Sequence, residues 1–177
     1  MHETTTRFAL VAIACALLMA GDAAAAKPGS PKTTKTTAGA AILAGDLSFA
    51  VIDDRVQLTA RGTGVSGPWG EVVAAEAIWS PAVDNVLALL AGQVDELSIA
   101  TGTFAVEFAD GDTITGTLSG TIRPRDDGTF SLQADFVATA GTGAFVGVSG
   151  GGTLRAVDDL TTLEFRAMLH AKLSVPK

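Results

Sequence analysis

The sequence predicts an all-β fold, an eight-stranded antiparallel up-and-down β-barrel with one short helix or apolar loop between strands three and four. Apolar and polar residues alternate along eight segments, as expected for half-buried strands. Acidic and glycine-rich turns separate most of these segments, as expected for hairpins. Glycine is abundant, with 20 copies in 177 residues and no triplet repeat. A two-sheet sandwich would give the same pattern, so the sequence leaves that alternative open.

Each predicted strand rests on its own run of alternation. The first carries Leu47, Phe49 and Val51 on one face, and the last has the longest uninterrupted alternation of the chain. A glycine-rich loop is expected at 62–70, between the second and third strands. The predicted strands centre on 47–51, 56–60, 71–79, 104–108, 114–122, 130–136, 154–156 and 163–173.

A single helical signal follows the third strand. Ser80 is a suitable N-cap, Pro81 suits the first turn, and an apolar run at 86–90 ends before Gly92. We therefore expect one short helix or apolar loop that lies across an end of the barrel.

The N-terminal region predicts export. Arg7 precedes an apolar run at 8–20 and a group of alanines that ends at Ala26, which is the pattern of a signal peptide. We predict a signal peptide at 1–26, cleaved near Ala26, and a secreted or periplasmic product. The apolar run is shorter than the roughly 20 residues of a membrane-spanning helix. Residues 27–45, rich in Pro, Thr and Lys, predict a flexible linker, and 46–177 the barrel domain.

Composition and charge limit the partners. The formal net charge of −7 disfavours nucleic acid. The chain has no Tyr and only two Trp, so the aromatic girdles of an outer-membrane barrel cannot form. We expect no membrane span in the mature chain, no cofactor and no metal site. The acidic pairs Asp53-Asp54, Asp126-Asp127 and Asp158-Asp159 are interpreted as solvated turn residues.

The barrel interior is the predicted binding site. A barrel of eight strands is either filled by its own side chains or holds one small apolar ligand. The candidate ligand-binding residues are the aromatic side chains expected inside the barrel or at its mouth. They are Trp69, Trp79, Phe104, Phe108, Phe130 and Phe136.

Glu76 is the one weak candidate for a catalytic residue. If its strand turns Val72, Ala74 and Ile78 inward, Glu76 would be a buried acid with a raised pKa. If the opposite face, with Val73, Ala75, Ala77 and Trp79, points inward, Glu76 lies in water. We favour the second arrangement because an unpaired buried carboxylate is costly.

The segment Gly141-Thr-Gly-Ala-Phe-Val-Gly-Val-Ser-Gly150 resembles the Gly-Thr-Gly-x-Phe-x-Gly-x-x-Gly signature of the allene oxide cyclase and dirigent β-barrels, which include exported bacterial members. The resemblance implies that this segment joins two late strands of an eight-stranded barrel. It also implies a homo-oligomer, a trimer in the plant members. Plant members use a tyrosine in their sites, and this chain has none, so the resemblance implies fold and not a transferable site.

The function expected from the sequence is that of an exported small barrel. We expect it to bind a small apolar ligand or a surface partner without catalysis. One alternative is a cyclase or isomerase, similar to allene oxide cyclase, with Glu76 as its acid or base. The other is a structural or adhesive extracellular module.

Overall fold

Residues 33–177 form a closed barrel of eight antiparallel strands in the computed structural model, which describes this part of the chain. Every strand pairs with its sequence neighbours, and β1 pairs with β8 to close the sheet. This closure confirms the predicted barrel and excludes the sandwich. The strands are β1 (Thr34–Ile52), β2 (Arg55–Ser66), β3 (Gly70–Trp79), β4 (Leu97–Phe108), β5 (Thr113–Pro124), β6 (Phe130–Gly141), β7 (Ser149–Asp159) and β8 (Glu164–Pro176).

The first strand starts earlier than the sequence pattern predicts. We expected a flexible linker over 27–45, but β1 begins at Thr34. Its first part pairs with the whole of β8, from Thr34 opposite Pro176 to Asp46 opposite Glu164. That pairing closes the barrel and satisfies the backbone groups of a stretch that has few large apolar residues of its own. The predicted signal peptide lies outside the described residues.

The far end of β1 extends beyond β8. Leu47 is buried as predicted, but Phe49 and Val51 are 58% and 67% exposed. Beyond Asp46, β1 pairs only with β2, so this hairpin projects past the barrel wall. The predicted alternation is present, but Phe49 and Val51 lie beyond the part of β1 that pairs with β8 and stay exposed.

The glycine-rich loop expected at 62–70 is mostly strand. β2 continues to Ser66, which leaves a short turn before β3 starts at Gly70. Gly64 lies against β1, where a Cβ atom would collide with the carbonyl of Ile42. Glycine here permits close approach of two strands rather than a long loop.

The predicted helix is present as α1 (Val83–Leu90), between β3 and β4. Ser80 does not cap it, because the N-cap is Ala82 and no side chain caps the helix. Instead, the start of the helix is anchored to β2, because the Arg55 guanidinium donates a hydrogen bond to the Ser80 carbonyl. Leu89 is buried and helps to cover this end of the barrel, called here the α1 end.

The segment with the Gly-Thr-Gly motif closes the opposite end. It joins β6 to β7 as expected, through a short 3-10 turn at Gly143–Phe145. An Asp112 carboxylate oxygen accepts the N–H of Ala144 at 2.8 Å. The buried Phe145 ring stacks on Phe108, with ring centroids 5.0 Å apart. Phe145 is thus part of the core at this end, called here the Phe145 end.

Among the described residues, α1 and the other helical turn are too short or too polar to cross a bilayer as a helix.

Candidate functional site in the barrel interior

Small apolar cavities lie along the barrel interior. The central cavity has a volume of about 60 Å³. A cavity of about 50 Å³ lies toward the Phe145 end, and another of about 50 Å³ lies beneath α1. Their walls are almost entirely aliphatic and aromatic, so the interior suits an apolar occupant.

Two phenylalanines separate the central cavity from the one toward the Phe145 end. Phe104 and Phe136 border both cavities. Their rings meet edge to face, with centroids 5.4 Å apart and planes at 76°. A rotation of either ring would therefore change how the two cavities connect.

Asp158 brings a carboxyl group into this apolar interior. Strand β7 turns Leu154, Ala156 and Asp158 toward the barrel axis, and Asp158 is only 5% exposed. Burial raises the pKa of Asp158 to about 6, and no hydrogen bond or ion pair of its carboxyl within 33–177 counters that effect. A carboxyl with such a pKa changes its protonation state near neutral pH.

The interpretation of Asp158 as a solvated turn residue is therefore wrong. Strand β7 extends to Asp159, where it pairs with Glu164 of β8. The alternation that starts at Leu154 then places Asp158 on the inner face and Asp159 on the outer side. This period of two was visible in the sequence, but the turn propensity of the Asp-Asp pair obscured it.

Trp79 supplies a second polar group to the same part of the interior. Its side chain is 2% exposed, and within the described chain its indole N–H has no hydrogen-bond partner. Trp79 and Asp158 both border the central cavity and the cavity beneath α1. A hydrogen-bond donor and a carboxyl group thus share two apolar cavities.

Glu76 has a different environment. It borders the central cavity along β3, but its carboxylate pairs with the guanidinium of Arg61 at 2.5 Å, and its side chain is 36% exposed. A bulge between Val72 and Ala74 shifts the alternation of β3. As a result Val72, rather than Val73, joins Ala75 and Ala77 inside. Glu76 therefore lies neither in the apolar core nor free in water, and the inner position expected for Val73 is wrong.

The six predicted ligand-binding residues all border the interior cavities. Phe104 and Phe136 lie between the central cavity and the Phe145 end, where Trp69 and Phe108 also lie. Phe130 borders the cavity beneath α1. Their binding to a ligand stays a prediction. Among residues 33–177, no three His, Cys, Asp or Glu side chains lie together in a way that could hold a metal ion.

The class defined by this geometry is a closed, eight-stranded antiparallel barrel with an apolar interior. No protein-family model and no curated protein matches the sequence. Among solved structures, the chain is similar to the pterocarpan synthase dirigent protein GePTS1, with 14% identity and a TM-score of 0.49. The match covers 86% of this chain and 100% of that one.

Proposed function

We propose that this protein is an exported binding barrel that takes up a small apolar molecule with one hydroxyl group. One observation carries the proposal. The Trp79 indole N–H and the Asp158 carboxyl lie buried beside the same apolar cavities, and neither has a partner in the described chain. A buried polar group without a partner costs about 1–3 kcal/mol, so a purely structural interior has no reason to hold the Trp79 indole N–H in this way.

Hydrogen-bond complementarity favours the hydroxyl group. An indole N–H only donates, and an ionised carboxylate only accepts. A ligand hydroxyl can accept from Trp79 and donate to Asp158 at the same time. An ammonium group would leave Trp79 without an acceptor, and a carboxylate would face Asp158 with like charge.

The cavity is too small for a ring-sized ligand unless side chains move. An apolar cavity of about 150 Å³ is large enough for benzene, whereas the central cavity has about 60 Å³. A ring-sized ligand therefore requires the Phe104 and Phe136 side chains to rotate and join neighbouring cavities. Aromatic side chains that form a shared wall can make that change without altering the strand hydrogen bonds.

Cyclohexanol and cyclohexane make a matched pair of probes for this proposal. Cyclohexanol is expected to raise the melting temperature of the full chain in a concentration-dependent manner, because a ligand that binds only the folded state stabilises it. Cyclohexane, at equal free concentration, is expected to have a smaller effect. In Trp79→Phe the advantage of the alcohol should fall about fivefold or more, in line with one lost hydrogen bond. Equal effects of both probes on the wild type would contradict the hydroxyl site.

Export is the second part of the proposal. It rests on the basic, apolar and small-residue pattern of 1–26. Expression in a bacterial host followed by fractionation and N-terminal sequencing tests it. We expect a secreted or periplasmic product that starts near Lys27. A cytoplasmic product that retains Met1 would contradict it.

Catalysis by Asp158 is a second candidate function, and the pKa of about 6 is the observation that favours it. A general acid is most effective when its pKa lies near the working pH. In a cyclase or isomerase of this kind, Asp158 rather than Glu76 would hold the proton. A turnover that requires protonated Asp158 would fall as the pH rises through about 6, and Asp158→Asn would abolish it. Turnover that survives Asp158→Asn would contradict this assignment.

A further inference from the structure

A row of exposed apolar side chains crosses three neighbouring strands on the outside of the barrel. Val65 of β2 lies opposite Ile42 of β1, and Ile42 lies opposite Met168 of β8. These three residues, called here the apolar row, are 62%, 58% and 48% exposed. Large apolar side chains in direct cross-strand contact form a continuous patch, and such patches mark interaction surfaces.

Cationic side chains lie beside the apolar row. Arg155 of β7 lies opposite Met168, and Arg166 lies two residues before Met168 on β8. Lys172 follows on the same outer side of β8. All three are exposed, and none forms an ion pair within residues 33–177, whereas Arg61, Arg123 and Arg125 each do. We call Arg155, Arg166 and Lys172 the basic flank.

A shallow groove runs between the row and the flank. It has a volume of about 290 Å³ and is bordered by Ile42, Val157 and Met168 together with both arginines. The small outward residues Ala40 and Ala44 stand on either side of Ile42 on β1. The apolar side chains therefore project from the wall and have long, flexible cations beside them.

We propose that this outer face of β1, β2, β7 and β8 docks the protein on an anionic lipid surface. The chain carries a net charge of −7, yet Arg155, Arg166 and Lys172 lie together on this face, whose acidic residues Asp46 and Glu164 pair at its α1 end. Arginine and lysine side chains reach lipid phosphates while their aliphatic stems lie along apolar surface. Apolar side chains between such cations can enter the boundary between headgroups and acyl chains.

The same features favour lipid over other occupants. The face lies on the outer wall of a barrel and contains no Phe or Trp side chain, whereas the energetic centres of protein interfaces are rich in Trp and Tyr. A lipid surface supplies many negative charges without requiring a fixed geometry.

Vesicle co-sedimentation tests the proposal with the full chain. The probes are sucrose-loaded vesicles of phosphatidylcholine alone and of a mixture that contains one third phosphatidylglycerol. We expect binding to the mixed vesicles that weakens as salt is added. Removing charge with Arg155→Gln/Arg166→Gln should lower the partition coefficient about tenfold or more, since each cation contributes about fivefold. Ile42→Ser/Met168→Ser should lower it as well.

The matched control is Arg123→Gln/Arg125→Gln, which removes two charges from the end of β5 and the turn after it, away from this face. All variants keep the N-terminal region, so any binding by that region cancels in the comparison. Melting temperatures establish that each variant is folded. The proposal is overturned if the face variants and the control partition alike, or if the wild type binds both vesicles equally. Absence of wild-type binding to the mixed vesicles overturns it too, and leaves an acidic protein as the partner to examine.

Discussion

The Asp158 carboxyl and the Trp79 indole border the same two cavities of the barrel interior, and neither polar group has a hydrogen-bond partner among the described residues. These residues lie on strands β7 and β3, which are far apart in the order of the sheet. Because the barrel closes, the two side chains meet at the same interior cavities. The relationship gives the interior a polar position within an otherwise apolar wall.

Asp158 should make the protein less stable as the pH rises. Its folded-state pKa of about 6 lies above the ordinary value of 3.8, so the folded state holds the extra proton between these values. The free energy of unfolding therefore falls as the pH rises from about 4 to 6, by about 3 kcal/mol for a shift of this size. Asp158→Asn should remove this fall, as measured by urea unfolding at a series of pH values.

Asp135→Asn is the control for this measurement, because Asp135 is an exposed carboxylate on the neighbouring strand β6. Its pH profile should follow that of the wild type. If Asp158→Asn and the wild type lose stability in parallel between pH 4 and 6, Asp158 is not a buried acid of the kind described.

A side chain at Gly143 is expected to displace the Asp112 carboxylate. Its φ of +51° lies in the left-handed region, and an added Cβ would collide with the carboxylate of Asp112. Gly128 also has a positive φ, of +82°, but a Cβ there meets open space. Gly143→Ala should therefore lower the free energy of unfolding by about 1–3 kcal/mol more than Gly128→Ala. Thermal or urea unfolding measures the difference, and equal losses would show that the contact with Asp112 has no cost.

Gly150 tests the structural role of the motif at the start of β7. Its φ is +111°, and a Cβ would collide with the carbonyl of Lys172 on β8. Gly150→Val should lower the melting temperature even with no ligand present, because both the backbone and the strand pairing are strained. An unchanged melting temperature would refute the role of this glycine in closing the last strands.

Phe145 should be among the largest contributors to stability at its end of the barrel. It is 7% exposed and stacks on Phe108. Phe145→Ala should cost about 3–5 kcal/mol, the usual range for a buried phenylalanine. The neighbouring Val146 is 63% exposed, so Val146→Ala should stay within about 0.5 kcal/mol of the wild type. Similar costs for the two variants in urea unfolding would mean that Phe145 does not fill the core there.

Glu76→Gln should have little effect on either stability or binding. The Arg61–Glu76 ion pair is largely exposed, and such pairs contribute less than about 1 kcal/mol. Its effect is measured by urea unfolding and by the cyclohexanol-dependent shift in melting temperature. A loss of the cyclohexanol effect would restore Glu76 as a site residue and contradict the assignment to Asp158 and Trp79.

The sequence predicted the barrel well because its evidence was local. Alternation along β4 to β8 and the turns between them specify half-buried strands and hairpins. The early start of β1 could not be read in this way, since Thr34 and its neighbours are ordered by pairing with β8, at the other end of the domain. Such long-range pairing leaves no local pattern in a stretch of Thr, Ala and Gly.

The site was only partly predictable for a related reason. The positions of the six aromatic residues at the interior cavities were predictable, because apolar side chains on the inner strand faces or at the mouth of a barrel border its interior; whether they bind a ligand stays a prediction. Asp158 was missed because its identity suggested a turn while its position in the alternation placed it inside. The bulge in β3 could not be predicted from the sequence either, because a one-residue register shift is set by how β3 pairs with β4.

The most direct test of the interior site follows the indole N–H of Trp79 by NMR. The chain has only two tryptophans, so a ¹⁵N-labelled sample gives two indole signals, and Trp79→Phe assigns them. Cyclohexanol should shift the Trp79 signal downfield, as expected for a newly formed hydrogen bond. The shift should level off as the alcohol concentration rises. Cyclohexane should not do so, and Asp158→Asn should raise the alcohol concentration needed for half saturation. A Trp79 signal that stays unchanged up to the solubility limit of cyclohexanol would contradict the proposed hydroxyl-binding barrel.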